Sequence, residues 1–121
     1  MKTPPPLEIE IVQSFRERMF YAAPTVSVVA VPNAAKRSQW AARQAKKEGL
    51  ATGFPDVLVL GPGALIAMIE FKREGAKPSD NQAEWLERLD RWGFPVTVAR
   101  SADEAMAFLR GAGFPIMERA A

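Results

Sequence analysis

The chain has 121 residues, a length typical of one domain, with 48% hydrophobic and 25% charged residues, as in ordinary globular proteins. Cysteine and histidine are absent, which excludes disulfides, cysteine- or histidine-ligated zinc and a Ser-His-Asp triad. Acid–base and metal chemistry would therefore rest on carboxylates, lysine or tyrosine, and oxygen ligands favour Mg²⁺ or Mn²⁺. The formal net charge of +2 mildly favours a polyanionic partner without identifying one.

Residues 1–121 are expected to form one domain, with flexible or peripheral ends at residues 1–6 and 114–121. No apolar run approaches the roughly 20 residues needed to cross a bilayer, and the first residues lack the pattern of a signal peptide. These features predict a cytoplasmic protein with no membrane partner.

The first half of the chain predicts a helix, a strand and a second helix. Apolar residues at helical spacing predict a helix over residues 7–20, and a β-branched, apolar run between two prolines predicts a strand over residues 25–31. Asn33 is suited to cap a second helix over residues 34–48, which Gly49 would end.

The second half begins with two apolar runs, residues 56–60 and 64–71, which flank Gly61-Pro62-Gly63 and predict a β-hairpin. A helix from Ser79 to near Gly93 and a strand over residues 95–100 follow. The last helix runs through about residue 110, after a capping box of Ser101 and Glu104. The predicted order is α-β-α-β-β-α-β-α.

Two of the strands, residues 57–60 and 96–99, are apolar on both faces. Such strands are typical of a sheet that helices cover on both sides. The predicted fold is therefore α/β, in one layered domain.

The hairpin brings acidic and basic side chains together. With the turn centred on Pro62, Asp56 lies opposite Met68, and Glu70 and Lys72 share the face of Met68. Asp56 and Glu70 are then diagonal neighbours with α-carbons about 7–8 Å apart, so both side chains can reach one cation. This register predicts a metal site.

A divalent cation between two carboxylates relieves their repulsion, activates water and neutralises charge that develops on a phosphate. Beside it, the Lys72 ammonium would orient the attacking water or stabilise the transition state of phosphodiester hydrolysis. We also expect the backbone carbonyl of Phe71 to add a ligand. The alternative is that Asp56 opens a strand and that Glu70 and Lys72 form a surface ion pair, which each fragment taken alone favours.

Several motifs in order resemble the VRR-NUC family, the virus-type replication-repair nucleases of the PD-(D/E)xK superfamily. The matching motifs are Pro32-Asn33, Gly53-Phe54-Pro55-Asp56, Ile69-Glu70-Phe71-Lys72, Ser79 with Gln82, and Gly93-Phe94-Pro95-Val96 leading to Ser101. The resemblance implies a restriction-endonuclease-like mixed sheet flanked by helices on both faces. Ala34-Ala35 departs from the family pattern, in which glycines are common at that point.

The resemblance also implies roles for individual residues. Asp56 and Glu70 would bind the metal and Lys72 would assist hydrolysis. A glutamate on the first helix would support the metal site, a position that Glu8 fits best and for which Glu10 is a rival. Gln82 would support the metal or its water, although in Ser79-Asp80-Asn81-Gln82 it also completes a capping box, and both roles can hold.

Basic residues on the second predicted helix suggest a surface for nucleic acid. Lys36, Trp40, Arg43 and Lys47 lie along one side of that helix, a stripe that could follow a phosphate backbone. The alternative is an ordinary solvated face with Trp40 half buried. The other basic residues that could extend this surface around the metal are Arg37, Arg73 and Lys77.

Trp85 and Trp92 share a face of the third predicted helix, where core packing is more common than base stacking, and a dimer surface is a third possibility. The resemblance implies that stand-alone members of the family are homodimers that act on branched DNA such as four-way junctions, and that such proteins are common in phages.

The leading hypothesis is a Mg²⁺- or Mn²⁺-dependent, structure-selective DNA endonuclease. The rival hypotheses are a non-catalytic nucleic-acid-binding module of a replication or recombination assembly, a structural domain, and a nuclease that acts on RNA.

Overall fold

A computed structural model describes residues 4–32, 38–49 and 51–117 of the chain. It confirms the predicted order of helices and strands. The elements are α1 (Glu8–Ala22), β1 (Ser27–Ala30), α2 (Gln39–Lys47), β2 (Val57–Gly61), β3 (Leu65–Phe71), α3 (Asp80–Arg91), β4 (Val96–Ala99) and α4 (Ala102–Gly111).

The four strands form one mixed sheet in the order β1-β2-β3-β4. β1, β2 and β3 are antiparallel neighbours, whereas β3 and β4 are parallel, and α3 connects them. As a result β1, β3 and β4 all end at one edge of the sheet, where β2 begins. We call this end of the sheet, which is formed by the ends of the strands and not by an outermost strand, the upper edge, and the opposite end the lower edge.

The main core lies on one face of the sheet, under α1 and α4. It is made by apolar residues of these two helices and by every second residue of the central strands, including Val57, Val59 and Ile69. Phe15 of α1 and Phe71 at the end of β3 are both fully buried, and their ring centroids are 5.2 Å apart. Because the strands place alternate side chains on opposite faces, Met68 and Glu70 point to the other face.

That second face is covered only in part. α3 contacts β4, and its Leu89 is buried outside the main core. The outer face of β1, β2 and the start of β3 lacks such cover, since Val29, Leu60 and Ile66 are 42%, 40% and 38% exposed. Helices therefore flank both faces, as expected, but the apolar character of strand residues 57–60 does not mean that both of their faces are buried.

The second helix begins later than predicted, because Ser38 does not have a helical backbone. This residue has an extended ψ of 162°, and its hydroxyl accepts a hydrogen bond from the Ala41 N–H at 3.2 Å. The described helix therefore begins at Gln39 with a serine cap. The predicted cap at Asn33 lies outside the described residues, whereas Gly49 ends the helix with φ +91° as predicted.

The start of helix α4 also differs from the prediction. The Ser101 hydroxyl accepts from the Glu104 N–H at 3.1 Å, but the Glu104 carboxylate accepts from the Arg100 N–H at 2.7 Å, not from that of Ser101. The predicted capping box is therefore wrong in its second half. Within the described ranges no helix combines the length and the apolar character that a membrane span requires.

The described part of the C-terminal tail is anchored to the body of the protein. Phe114 is 4% exposed and belongs to the main core, and it lies so near Gly61 that an added β-carbon there would be 3.0 Å from its ring. The Met117 N–H donates to the Ala22 carbonyl at 2.8 Å. Phe114 and Met117 therefore hold this part of the tail against the domain near the lower edge.

Candidate active site

The register of the hairpin differs from the prediction and brings the two acids closer. Val57 pairs with Ile69 and Leu58 with Met68, so continuing the register places Asp56 opposite Glu70. The prediction that Asp56 opposes Met68 is wrong, because the turn is centred on Gly63 and not on Pro62. Directly opposed residues have α-carbons about 4.5–5.5 Å apart, closer than the diagonal pair that the sequence suggested.

The side chain of Asp56 is held by the neighbouring strand. The backbone N–H of Phe71 donates to Asp56 Oδ2 at 2.8 Å. Pro55, opposite Phe71 in the continued register, lacks an N–H and cannot exchange a pair of ladder bonds with it. The Asp56 carboxylate instead accepts the last hydrogen bond between β2 and β3, and this bond fixes its position at the upper edge.

The backbone around Asp56 is also fixed from the other side. Its carbonyl accepts a hydrogen bond from the Val31 N–H at 2.8 Å, which extends the pairing of β1 and β2 beyond the last strand residues. In β3, the N–H of Lys72 donates to Ala99 of β4, so the N–H and C=O of Phe71 face the opposite neighbour, the side of Asp56. The Phe71 carbonyl is therefore oriented toward the site.

Glu70 is a buried carboxylate beside an ammonium group. Its side chain is 1% exposed, and Lys72 Nζ lies 3.5 Å from Glu70 Oε2. The same Nζ lies 3.9 Å from Glu8 Oε1 at the start of α1. Burying a carboxylate is costly unless a positive charge accompanies it, so this arrangement marks a place that attracts a cation. The surface-ion-pair alternative does not describe a glutamate buried to this degree.

The two candidate glutamates of α1 have different surroundings. Glu10 Oε2 accepts a hydrogen bond from the Leu7 N–H at 2.8 Å and thereby caps the helix. Glu8, not Glu10, is the acid that reaches Lys72. The geometry therefore favours the first of the two alternatives that the sequence left open, while the role of Glu8 at a metal stays a prediction.

The donor set fits a hard divalent cation. Asp56 and Glu70 provide carboxylate oxygens from adjacent strands, and the Phe71 carbonyl adds a backbone oxygen on the same side, which are the ligand types that Mg²⁺ and Mn²⁺ prefer. Among the residues in the described ranges, no three acidic side chains are gathered in a metal-binding cluster. A cation here would thus be held by two carboxylates and backbone or solvent oxygens.

Gln82 performs the capping role that the sequence suggested. Its Oε1 accepts a hydrogen bond from the Ser79 N–H at 2.8 Å, and the Ser79 hydroxyl accepts from the Gln82 N–H at 3.2 Å. Gln82 is also 7% exposed, which is unusual for a residue that only caps a helix. Its predicted supporting role at the metal stays a prediction.

The loop before Asp56 is fastened to α3 by two contacts that the sequence analysis did not find. Gly53 has φ +87°, and a β-carbon there would lie 2.7 Å from the backbone carbon of Asn81. Next to it, the rings of Phe54 and Trp85 meet edge to face at 5.0 Å, and the Arg88 guanidinium lies 4.6 Å from the Trp85 ring. The spacing of Asn81, Trp85 and Arg88 on one helix face was the available signal.

The loop after Lys72 is held by Arg100, another residue that sequence reasoning missed. Its guanidinium Nη1 donates to the carbonyls of Arg73 at 2.8 Å and Ala76 at 2.7 Å. Nothing local in the sequence indicates this contact, because it joins β4 to a loop far away in the chain. The side chains of Arg73 and Lys77 on that loop are exposed.

The predicted basic surface is only partly described. Lys36 and Arg37 lie outside the described residues, whereas Arg43 and Lys47 are exposed on α2. Trp40 is 67% exposed, so the half burial expected for it in the solvated-face alternative is wrong, while the role of this face stays a prediction. Trp92 is 61% exposed and is not a core residue, whereas Trp85 is partly buried in the contact with Phe54.

Comparison with known families identifies the family of the chain. The family model of the VRR-NUC domain matches residues 6–103, which include both acids and the lysine. The chain belongs to the VRR-NUC family. This is a nuclease family, so the chain carries a nuclease-type fold, and the resemblance seen in its motifs is confirmed.

Solved structures of VRR-NUC proteins share the fold. One, described as a VRR_NUC domain, is 24% identical and superposes with a TM-score of 0.63, covering 85% of this chain and 94% of that one. Another, described as a VRR_NUC domain protein, is 20% identical with a TM-score of 0.68, covering 92% and 93%. No curated protein sequence matches the chain.

Proposed function

We propose that this VRR-NUC protein is a divalent-metal-dependent DNA endonuclease. The observation that carries the proposal is the convergence of Asp56 and Glu70 on one side of the upper edge, with the Lys72 ammonium 3.5 Å from Glu70. Acids from two adjacent strands next to a lysine form an arrangement suited to phosphodiester hydrolysis without histidine.

Each residue has a distinct part in the proposed reaction. Asp56, Glu70 and the Phe71 carbonyl would hold Mg²⁺ or Mn²⁺, with support from Glu8. When bound, the metal supplies Lewis-acid activation of water and neutralises charge on the scissile phosphate. Lys72 would orient the attacking water and stabilise the negative charge of the transition state through its ammonium. Gln82, at the buried start of α3, would support the same region.

Two features of the structure support these roles. The Asp56 carboxylate is already positioned by the Phe71 N–H, so binding a metal requires little rearrangement of this ligand. The Lys72 side chain is 13% exposed, so water is partly excluded around its ammonium, and a positive charge in such surroundings stabilises a transition state more strongly than in bulk water.

The finer parts of the proposal concern the substrate and the assembly. We propose branched DNA, such as a four-way junction, as the preferred substrate and a homodimer as the active form, since two sites related by symmetry could cut symmetric strands. We further propose a cytoplasmic protein of phage or prophage origin. Sedimentation analysis tests the dimer: a species of one chain across the concentrations used for cleavage would contradict it.

One set of assays separates this function from its rivals. The protein is incubated with linear, flap and four-way-junction DNA and with single-stranded RNA, in Mn²⁺, in Mg²⁺ and in EDTA. We expect metal-dependent cutting of DNA, strongest on branched molecules, and its loss in Asp56→Ala and Lys72→Ala.

The other outcomes each identify a different conclusion. Binding without cutting would favour the non-catalytic module, and cutting of RNA in preference to DNA would change the substrate. Cutting that persists in both variants would show that the active site lies elsewhere. Neither binding nor cutting would leave the structural domain as the remaining reading.

A further inference from the structure

The chain segment that contains α2 is joined to the sheet beside the proposed metal ligands. The chain leaves β1 at the upper edge and returns to β2 at the same edge, where the Val31 N–H bonds to the Asp56 carbonyl at 2.8 Å. The excursion therefore begins and ends within one hydrogen bond of Asp56. Because α2 runs from Gln39 to Lys47, it begins eight residues after Val31 and ends nine residues before Asp56, so the chain keeps this helix tethered to the edge that carries the acids.

The outward side of α2 combines one exposed aromatic ring with positive charge. Trp40 is 67% exposed, and Arg43, Lys46 and Lys47 are exposed as well. The helix Gln39–Lys47 contains no acidic residue. Trp40, Arg43 and Lys47 share one face by their spacing. Arg43 and Lys47 thus lie on the same helix face as the Trp40 ring, both on its C-terminal side.

This composition suits nucleic acid better than an apolar protein partner. A protein interface surrounds an exposed tryptophan with further apolar side chains, whereas strands of nucleic acid combine π faces with a phosphate at every step. Within a duplex each base is stacked on both faces by its neighbours, so away from the duplex ends an unpaired base is needed to offer a face to Trp40. The two basic residues on the same helix face match phosphates that follow such a base along the strand.

We infer that Trp40 stacks on an unpaired DNA base while Arg43 and Lys47 contact phosphates of the strand next to that base, so that the substrate has a single-stranded segment beside the bond to be cut. The inference rests on the proposed function and deepens it, because it gives a physical reason for preferring branched DNA with unpaired bases, such as a flap, over continuous duplex DNA. A four-way junction offers such a base where pairing opens at the branch point. Trp40 touches the substrate in this account without taking part in the chemistry.

The chain offers a matched control in Trp92. This tryptophan is 61% exposed, nearly as much as Trp40. It follows α3 and precedes the first residue of β4, so it lies toward the lower edge, away from Asp56 and Glu70. If exposed tryptophans bind DNA without selectivity, substitution of either residue should have the same effect.

Binding is measured by fluorescence anisotropy in EDTA, which separates it from cutting. The probes are fluorescein-labelled oligo(dT) and a blunt duplex of the same length. We expect Trp40→Ala to bind oligo(dT) on the order of tenfold more weakly than the unsubstituted protein and the duplex about equally, Trp40→Phe to retain most of the affinity, and Trp92→Ala to bind normally. Oligo(dT) should also quench the tryptophan fluorescence of the unsubstituted protein more than that of Trp40→Phe.

Several results would overturn the inference. These are equal losses in Trp40→Ala and Trp92→Ala, equal losses on single-stranded and duplex probes, a preference for oligo(rU) over oligo(dT) that Trp40→Ala abolishes, or no binding of oligo(dT) at all. Because Trp40 is exposed, its substitution should leave the circular dichroism spectrum and the melting temperature unchanged.

The proposed nuclease function is tested separately, by measuring the cutting of DNA in Mn²⁺. Selective loss of binding in Trp40→Ala without any cutting by the unsubstituted protein would support the single-strand contact and refute the nuclease. Metal-dependent cutting of DNA with unaltered binding in Trp40→Ala would support the nuclease and refute the contact.

Discussion

The carboxylate of Asp56 accepts a hydrogen bond from the backbone N–H of Phe71 at 2.8 Å, a bond that joins the two strands carrying the proposed ligands. Phe71 stands between Glu70 and Lys72 in the chain. The position of Asp56 is therefore set by the same short segment that carries the other two charged groups. A shift of one strand along the other would break this bond and separate the acids at the same time.

Asp56→Asn should separate the charge of this residue from its structural bond. The amide oxygen of asparagine can still accept from the Phe71 N–H, so we expect a melting temperature close to that of the unsubstituted protein. Loss of the negative charge should weaken Mn²⁺ binding by at least about tenfold and cutting by on the order of 100-fold. Calorimetric titration with Mn²⁺ and a cleavage assay check this, and unchanged Mn²⁺ affinity would remove Asp56 from the ligand set.

Substitutions of Glu70 and of Lys72 should differ in their effect on Mn²⁺ affinity. Glu70→Gln removes a ligand charge and should abolish measurable Mn²⁺ binding. Lys72→Ala removes an ammonium 3.5 Å from that carboxylate, so Mn²⁺ should bind at least as tightly as before while cutting falls on the order of 10²–10³-fold. Both variants are compared by calorimetry and by cleavage at saturating Mn²⁺. Weaker Mn²⁺ binding by Lys72→Ala would contradict the assigned roles.

Gly53→Ala should be more harmful than the same change at Gly63. Both glycines have positive φ, which costs alanine about 1–2 kcal/mol. Only at Gly53 would the new β-carbon meet backbone, 2.7 Å from Asn81, whereas nothing lies within 4 Å at Gly63. We expect Gly63→Ala to lower the free energy of unfolding by about 1 kcal/mol and Gly53→Ala by about 3 kcal/mol or more. Urea denaturation measures both, and equal losses would show that the contact with α3 is unimportant.

Gln82→Glu should distinguish capping from a role at the metal. A glutamate can still accept from the Ser79 N–H, so the capping box and the stability should be preserved, whereas Gln82→Ala should cost about 1 kcal/mol. If the amide also supports the site, Gln82→Glu should cut roughly tenfold more slowly despite normal stability. Thermal denaturation and cleavage rates are measured together. A normal cleavage rate would leave Gln82 as a capping residue alone.

The charges of α2 should govern the salt dependence of DNA binding. A contact with one phosphate of a single strand contributes about 0.7 to the slope of log affinity against log salt, so Arg43→Ala with Lys47→Ala should reduce the slope by roughly 1.4. Arg91→Ala with Arg110→Ala removes the same charge from the ends of α3 and α4, near the lower edge, and should leave the slope unchanged. Equal effects of the two double variants would indicate attraction by overall charge.

Local patterns in the sequence were sufficient to predict the order of the elements and to single out the acids and the lysine that meet at the upper edge. The spacing of apolar residues and the positions of turn residues predicted the order of helices and strands, since both are local properties of the chain. Asp56, Glu70 and Lys72 could be singled out because two apolar runs flank a short Gly-Pro-Gly turn, which brings the acids at the strand ends to one face both in the predicted register and in the observed one, two residues away. The absence of histidine and cysteine already restricted the ligands to oxygen.

The exact geometry of the turn and contacts between distant segments decided the remainder. The observed register of β2 and β3 differs by two residues from the predicted one, because the turn is centred on Gly63 and not on Pro62. A difference of two residues keeps every side chain on its face of the sheet but changes which residues are paired. The choice of Glu8 over Glu10 depends on how α1 packs against β3, and the 67% exposure of Trp40 is a property of the folded chain that its spacing on a helix does not fix. The contact of Phe54 with Trp85 joins residues far apart in the chain, and the sequence signalled it only through the spacing of residues on one face of α3. The contact of Arg100 with the loop after Lys72 has no local signal in the sequence.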